Sequence, residues 1–315
     1  MSAPVTPSPF TLPFAVTAPA SSANLATGFD TLALALDLRL RLSVEAEPRD
    51  GGAAAFDNGL LHLAEAAADA VYSRVGRRPD GAVRMRLDSP IPAGRGLGSS
   101  AAAQAAGLVA ANLLLGQALT DAELLDLLAG LEGHGDNAAA ALFGGLTWTW
   151  REGEHTRALA LPPPPLEVAL AVPRHGIATS RSRSRLPHAV ALPDAVHNLQ
   201  RAGLWLAAAG AGDWNLLWAA ADDRLHQPAR ARHMPYLEPA IAAARESGAL
   251  FAALSGSGTS VMALTPMGQS RGVAEAMVAA MAAVGVTASP RRVRPSSQGV
   301  RIWHAHVEAA ALART

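Results

Sequence analysis

The sequence predicts an α+β protein of two lobes facing each other across a cleft. The chain has 315 residues, 50% of them apolar and 17% charged, which suffices for a substantial packed core and, as a prior, about two domains. Strand-like runs and Ala-rich segments of helical period are mixed on both sides of its middle. Between the halves stand four consecutive prolines, Pro162 to Pro165, the clearest connector in the chain, which divides it into 1–165 and 166–315.

The elements follow in order. After a Pro-rich lead, Phe14 to Pro19 reads as a short strand running into a polar turn, SSANLATGFD (21–30). Thr31 to Val44 is apolar enough for a strand or buried segment. Leu60 to Val75 is helical in period, with Leu61, Ala64, Ala68 and Val71 on one face. Val83, Met85 and Leu87 alternate with Arg84 and Arg86, the pattern of a half-buried strand. It leads into PIPAGRGLGSSAAA (90–103) and a helix to about Leu115, stopped by Gly116. Asp121 starts a helix that ends near Gly133, with Thr120 as N-cap and Glu123 at the capping-box position. GHGDNAAAALFGG then precedes a strand-like run, Leu146 to Trp150. Beyond the prolines come a strand at Glu167–Val172, two Ala-rich helices and a helix from Glu238 to Ser247. Strands at Leu250–Leu254 and Ser260–Leu264 flank SGSG, and a further helix precedes the final strands.

Composition removes whole classes of function. Basic and acidic residues balance at 26 each, so neither a nucleic acid nor an anionic membrane is the expected partner. With no cysteine there are no disulfides, no thiolate chemistry and no cysteine-ligated metal. Lysine is absent as well; every basic side chain is arginine. That excludes the Walker-type loop, the protein-kinase ATP site and Schiff-base catalysis, each of which needs a lysine. ATP would have to be held by backbone amides, hydroxyls, magnesium and arginine. The N-terminal stretch lacks the basic region and apolar run of a secretory signal, and no stretch reaches the roughly 18 apolar residues of a membrane span. A cytoplasmic location is expected.

PIPAGRGLGSSAAA carries the strongest chemistry. Gly94, Gly96 and Gly98 allow a tight turn and close backbone approach, and Ser99 and Ser100 stand at a helix start, where free N–H groups and the dipole favour phosphate. The segment from Pro92 through Arg95, Leu97 and the glycines to Ala101 and Ala102 is therefore read as a phosphate cradle. A dinucleotide fingerprint is a rival, but it wants an acidic residue about 20 positions on, where this chain has Leu114 to Gly116 inside the same helix. LSGSGTS (254–260) reads equally as a plain hairpin or a second ligand loop. LEGHGDN (131–137) concentrates Glu132, His134, Asp136 and Asn137, able to supply a magnesium carboxylate and substrate hydrogen bonds; no second histidine stands at zinc-ligand spacing. Ser21, Ser22, Asn24 and Asp30 form another polar cluster, equally readable as an Asx-type turn. TSRSRSR (179–185) and PARAR (228–232) are solvated loops by default and carboxylate clamps by function, since guanidinium binds carboxylate bidentately; neutral charge and the lack of interleaved aromatics disfavour RNA for the first.

These pieces, in this order, resemble the GHMP kinase superfamily. PIPAGRGLGSSAAA is similar to its phosphate-binding motif and SGSGTSVMAL to its C-terminal glycine motif. APASSANLATGFDTLALAL, EGHGDNAAAALFGG and DRLHQPARAR resemble the homoserine branch, and the five together span most of the chain. The resemblance implies the GHMP kinase fold: an N-terminal domain like ribosomal protein S5 domain 2, and a ferredoxin-like C-terminal domain. It implies transfer of the ATP γ-phosphate to the side-chain hydroxyl of L-homoserine, a step towards threonine. By similarity, Gly96, Gly98, Ser99 and Ser100 hold ATP phosphates, and Glu132 with Ser100 holds Mg2+. Arg183 and Arg230 clamp the homoserine carboxylate with Thr179 nearby. Asn24, Asp30, His134, Asp136, Asn137 and Gly258 line the amino-acid side, with Asn137, Asp30 and Glu132 nearest the chemistry. Three departures stand out: Thr259 where the family has proline, Arg181 where it often has glutamate, and Ala26-Thr27 in place of a Gly-containing pair. A GHMP-type kinase for another small alcohol, and a non-catalytic ligand-binding relative, are the alternative readings. The sequence does not fix the oligomeric state; its exposed-looking apolar excess is compatible with a homodimer.

Overall fold

A computed structural model describes residues 12–46, 59–176 and 182–304. Two antiparallel sheets organise it. The first runs β10-β1-β2-β4-β5, with β3 also paired to β2; its strands are β1 (Phe14–Ala23), β2 (Leu32–Ala46), β3 (Val83–Asp88), β4 (Leu146–Glu152), β5 (His155–Leu161) and β10 (Arg301–His304). The second runs β7-β8-β6-β9, from β6 (Glu167–Pro173), β7 (Phe251–Leu254), β8 (Val261–Thr265) and β9 (Ala288–Val293). Helices follow β6 and β8, so this half has the βαββαβ order of a ferredoxin-like unit. The last strand crosses back: β10 pairs with β1, Phe14 opposite His304.

The first sheet is covered by α1 (Gly59–Val75), α2 (Ser99–Leu114), α3 (Asp121–Glu132) and α4 (Asp136–Phe143). α2 is buried along nearly its whole length, which is why its sequence is apolar all round instead of amphipathic. Small residues let helices meet closely there; a Cβ at Gly107 would stand 2.0 Å from the Ala64 carbonyl oxygen of α1. The Thr120 capping box forms as expected: the Glu123 N–H donates to Thr120 Oγ1 (3.3 Å) and the Thr120 N–H to Glu123 Oε2 (2.9 Å). β1 is longer than its apolar run predicts, because Ala20–Ala23 stay in register with β2 beyond a bulge at Pro19/Ala20. α4 and β5 carry no local sequence pattern that announces them.

In the second half, α5 (Leu192–Ala211), α6 (Leu217–Ala220), α7 (Gln227–Ala231), α8 (Leu237–Glu246) and α9 (Ser270–Ala283) pack with the second sheet and against the first half. One core cluster joins Leu25 and Leu32 of the first half with Trp205 and Phe251 of the second. Burial of this apolar surface, at about 25 cal/mol per Å2, holds the two halves in one arrangement. No helix among the described residues is long and apolar enough to cross a membrane.

Candidate active site

Where the halves meet, a cavity of about 270 Å3 is walled by the loop before α2, the α3–α4 junction, the β1–β2 turn and the arginines Arg183 and Arg230. Its phosphate side is built on constraint. Gly96 and Gly98 sit at φ of 71° and 66°, left-handed values that cost a residue with a Cβ about 1–2 kcal/mol. Space forbids a Cβ as well: it would lie 2.0 Å from the Ser255 carbonyl oxygen at Gly96, and 2.1 Å from Ser21 Oγ at Gly98. The close approach that these glycines permit is thus made to the protein's own backbone and hydroxyls as well as towards the cavity. The 255–258 loop acts as a brace behind the turn. Ser255 Oγ donates to the Gly96 carbonyl (2.7 Å), and the Ser260 N–H donates to the Arg95 carbonyl (3.2 Å). It connects β7 to β8 as a hairpin would, and it reaches the cavity through Gly256 and Ser257.

α2 begins without a side-chain cap: its N-cap is Gly98, and no acidic residue stands in its first turn. The first-turn amides of Ser99, Ser100 and Ala101 have no intrahelical acceptor, so the positive end of the helix is presented to the cavity. The Ala102 N–H is already spent on the Gly98 carbonyl (2.9 Å). Beside this end, Ser100 Oγ donates to Glu132 Oε1 at 2.5 Å. Burial raises the Glu132 carboxyl above its ordinary value, more than the Ser100 hydrogen bond and the nearby His134 lower it. Asp136 Oδ1 receives the Asn137 N–H and lies 2.6 Å from His134 Nδ1. Burial opposes charging His134, but the bond to Asp136 and the charges of Asp136, Glu132 and Asp30 outweigh it, so the imidazole is held above its usual range. Asn137 Oδ1 accepts from Ser21 Oγ at 2.8 Å.

The opposite side is formed by a strained turn. Asn24, Leu25, Ala26 and Asp30 have φ of 69°, 40°, 60° and 54°, each costing on the order of 1–2 kcal/mol for a non-glycine residue. The second half holds them there. Asn24 Nδ2 donates to the Gly256 carbonyl (2.9 Å), Trp205 Nε1 to the Leu25 carbonyl (3.2 Å), and Thr27 Oγ1 to the Ala220 carbonyl (2.8 Å). Asn24 Oδ1 accepts the Asp30 N–H (3.0 Å) and fixes that carboxylate at the cavity. Arg183 binds it bidentately, Nη1 to Oδ2 at 2.8 Å and Nη2 to Oδ1 at 2.7 Å. Arg230 is only 2% exposed, and burial with the nearby Arg183 brings its pKa down to about 10.

The cavity therefore gathers Asn24, Asp30, Gly94, Gly96, Leu97, Gly98, Ser99, Ser100, Glu132, His134, Asp136, Asn137, Arg183 and Arg230, all anticipated from sequence. Other anticipated residues lie elsewhere. Pro92 and Arg95 border a separate cleft with Arg174 and Arg291. Ala101 and Ala102 are fully buried, their methyl groups in the helix-packing cores. Gly258 is walled by Met234 and Leu254 behind Gly96. Thr179, with Arg181, lies outside the described residues. Thr259 is accommodated where proline was expected: its Oγ1 donates to the His175 carbonyl (2.9 Å), and its carbonyl accepts from the Tyr236 hydroxyl (2.8 Å). Leu60, Leu63 and Ser257 line the cavity without having been anticipated, because nothing in their local sequence separates them from ordinary helix or loop residues.

The donor set suits a magnesium ion that is held mainly by phosphate. Among the described residues no group of three His, Asp or Glu side chains could cage a metal, whereas one carboxylate and one hydroxyl adjoin the phosphate-binding helix end.

Comparison with known proteins places the chain among relatives of both halves. Residues 62–145 match the family described as GHMP kinases N terminal domain, and 195–287 match GHMP kinases C terminal. A homoserine kinase of Moorella thermoacetica is 41% identical over 292 residues, covering 90% of this chain and 98% of that one. One from Thermus thermophilus is 40% identical over 268 residues, covering 83% and 90%. Among solved structures, a homoserine kinase from Cytophaga hutchinsonii superposes with a TM-score of 0.81 at 26% identity, covering 93% of this chain and 98% of that one. The mevalonate kinase of L. major, solved with R-mevalonate, has a TM-score of 0.63 at 18% identity over 95% and 100%, a likeness of fold alone.

Proposed function

The chain belongs to the GHMP kinases, in the homoserine kinase family, and on that premise we propose that its cleft transfers the γ-phosphoryl group of ATP to the side-chain hydroxyl of L-homoserine. The product would be O-phospho-L-homoserine, a precursor of threonine, made in the cytoplasm. The observation that carries this reading is the pairing of an uncapped helix start with an Asp30–Arg183 ion pair across one cavity. The first suits a polyphosphate and the second a zwitterion.

In the free site Asp30 and Arg183 satisfy each other. An amino acid offers Asp30 an ammonium and Arg183 a carboxylate, so it inserts between them with no net loss of ion pairs. An acceptor bearing only one charge leaves one partner unpaired, at a cost of roughly 1–3 kcal/mol or more. Arg230, buried and cationic, joins Arg183 at the carboxylate. On the donor side the amides at Ser99 and Ser100 meet the phosphates. Mg2+ would be held by Glu132 and Ser100 and, when bound, neutralises phosphate charge. The acceptor oxygen attacks phosphorus as the bond to ADP breaks, and its proton leaves through the transferred phosphoryl group. The loose transition state makes little demand for a strong base, so Asn137 serves chiefly to hold the hydroxyl in line while Asp30 holds the ammonium.

The two halves, 1–165 and 166–315, share the site: the first supplies the phosphate turn and Asp30, the second Arg183 and Arg230. A homodimer would find an apolar surface in α5, where Leu192, Val196, Leu199 and Leu206 point outward, the first and third 76% exposed. Light scattering checks this: a mass of one chain removes it. The functional reading is tested by ADP release with Mg-ATP and a panel of L-homoserine, mevalonate, galactose and shikimate. Homoserine should turn over far faster than the rest. Equal rates would indicate another small alcohol, and stabilisation by ATP without product a non-catalytic relative.

A further inference from the structure

Arg230 should be costly to bury. It is 2% exposed, its Nε has no hydrogen-bond partner, and no carboxylate pairs with it among the described residues. What holds it is a histidine. Nη1 of Arg230 lies 2.9 Å from His226 Nδ1 and 3.2 Å from the Gly256 carbonyl. His226 is itself fully buried, and its Nε2 is 2.8 Å from the Ala26 carbonyl. These neighbours settle its proton. A carbonyl only accepts, so Nε2 carries the hydrogen; a guanidinium only donates, so Nδ1 presents its lone pair. The ring is neutral and spans from the strained Ala26 to the buried cation. Burial depresses its pKa, with Arg230 acting in the same direction and Asp223 and Asp30 opposing.

The histidine is fixed from below. Asp223 accepts the backbone N–H groups of Leu225 (3.0 Å), His226 (2.9 Å) and Gln227 (2.6 Å), along with Asn198 Nδ2 (2.7 Å), and so anchors the start of α7. It is fixed from above by Phe29, which stacks on the imidazole with ring centroids 5.2 Å apart. The same Phe29 ring lies 5.5 Å from the Arg183 guanidinium carbon and 5.7 Å from that of Arg230. An aromatic face attracts both cations and so ties the positions of the two to one ring. Two guanidinium groups free to move would spread away from each other into whatever acceptors they found. Here one is tied to Asp30, the other to His226, and the ring sits beside both.

We propose that His226 and Phe29 are positioning residues that select for an α-carboxylate on the acceptor: His226 aims the buried Arg230, and Phe29 sets its separation from Arg183. This rests on the reading of Arg230 as a carboxylate ligand. It predicts a signature that general loosening of the fold would not give. His226→Leu removes the acceptor for Arg230, a hydrogen bond to a charged group, and should raise the homoserine KM roughly 10–100-fold while the KM for ATP stays within about twofold. His226→Asn retains an acceptor near the Nδ1 position and should recover most of the loss.

The deciding measurement compares kcat/KM for L-homoserine with that for 2-amino-1,4-butanediol, in which a CH2OH group replaces the carboxylate. In the unsubstituted protein homoserine should be preferred. In His226→Leu the preference should shrink by about tenfold or more, and Phe29→Leu, which leaves the buried ring of His226 in place, should shrink it as well. Equal losses for both acceptors in a variant with unchanged melting temperature would overturn the proposal. So would an undiminished preference in Phe29→Leu, which decides the matter even where His226→Leu fails to fold. If the unsubstituted protein phosphorylates neither acceptor, the functional reading has failed and this inference falls with it.

Discussion

Replacing Gly98 by alanine is the sharpest test of how the phosphate side is built. At φ of 66° the added methyl incurs the left-handed penalty, about 1–2 kcal/mol. It would also meet Ser21 Oγ at 2.1 Å and Asn137 Oδ1 at 3.1 Å. Neither can yield freely, because Ser21 lies in β1, its N–H bound to the Leu97 carbonyl (3.1 Å) and its hydroxyl to Asn137. Overpacking of this kind costs about 1–3 kcal/mol, and losing the Ser21–Asn137 bond about 1 kcal/mol more. Gly98→Ala should therefore lose about 3–6 kcal/mol of stability and at least tenfold in affinity for ADP. Gly81→Ala supplies the control. Gly81 has φ of 87° but nothing within 4 Å of its would-be Cβ, so only the backbone penalty of about 1–2 kcal/mol applies, and ADP affinity should hold. Urea unfolding gives the first quantity and calorimetry with ADP the second. If the two variants lose the same stability, or Gly98→Ala binds ADP as well as the unsubstituted protein, the close packing of this turn does not shape the phosphate site.

Other predictions follow from the cavity. Glu132→Gln should weaken the magnesium dependence of ATP binding with little loss of folding, because it spares the Ser100 contact while removing the charge; a metal titration read by ATP affinity checks it, and unaltered magnesium dependence would exclude Glu132 as a ligand. Arg183→Ala should raise the homoserine KM at least tenfold with a smaller change in kcat, as loss of ground-state binding does; an unchanged KM would move the carboxylate elsewhere. Asp126 gives a pH test. Burial works to raise its carboxyl, but hydrogen bonds from His155 and the Thr156 N–H, and the charges of His155 and Arg157, outweigh it and hold it below the ordinary value. A carboxyl lowered in the folded state stabilises above its unfolded pKa, about 3.9, and loses that contribution as pH falls through the folded value. The stability gap between the unsubstituted protein and Asp126→Asn should be full at pH 7 and shrink below about pH 4; a gap independent of pH would show that the shift is absent.

Much of this was legible in local sequence. The capping box at Thr120 and Glu123 announces α3, the alternation of Val83 to Leu87 announces β3, and Gly116 ends α2 because φ there is 73°. What escaped depends on distance along the chain. α4 begins with turn-forming residues and spans only eight positions, too short to declare itself without the sheet it packs on. β5 is legible only once β4 is there to pair with it across a two-residue turn, and while the final strands are expected, the pairing of β10 with β1 shows only in the fold. The site divides the same way. The phosphate turn is one contiguous segment and could be read directly. The Asp30–Arg183 pair joins residues 153 positions apart, and the role of the SGSG loop as a brace on Gly96 is invisible until the halves meet. His226 is the clearest case: a lone histidine in HQPARAR has no evident task until Ala26, Phe29 and Arg230 surround it.

The central claim is that this cleft joins a nucleotide donor to a zwitterionic alcohol. Phosphorus-31 NMR of the protein with Mg-ATP and L-homoserine tests it most directly. The account predicts a new phosphomonoester resonance growing in step with ADP, coupled to the side-chain methylene of homoserine, and absent when homoserine is omitted. ADP appearing with inorganic phosphate alone, or no change in ATP over hours, would contradict it.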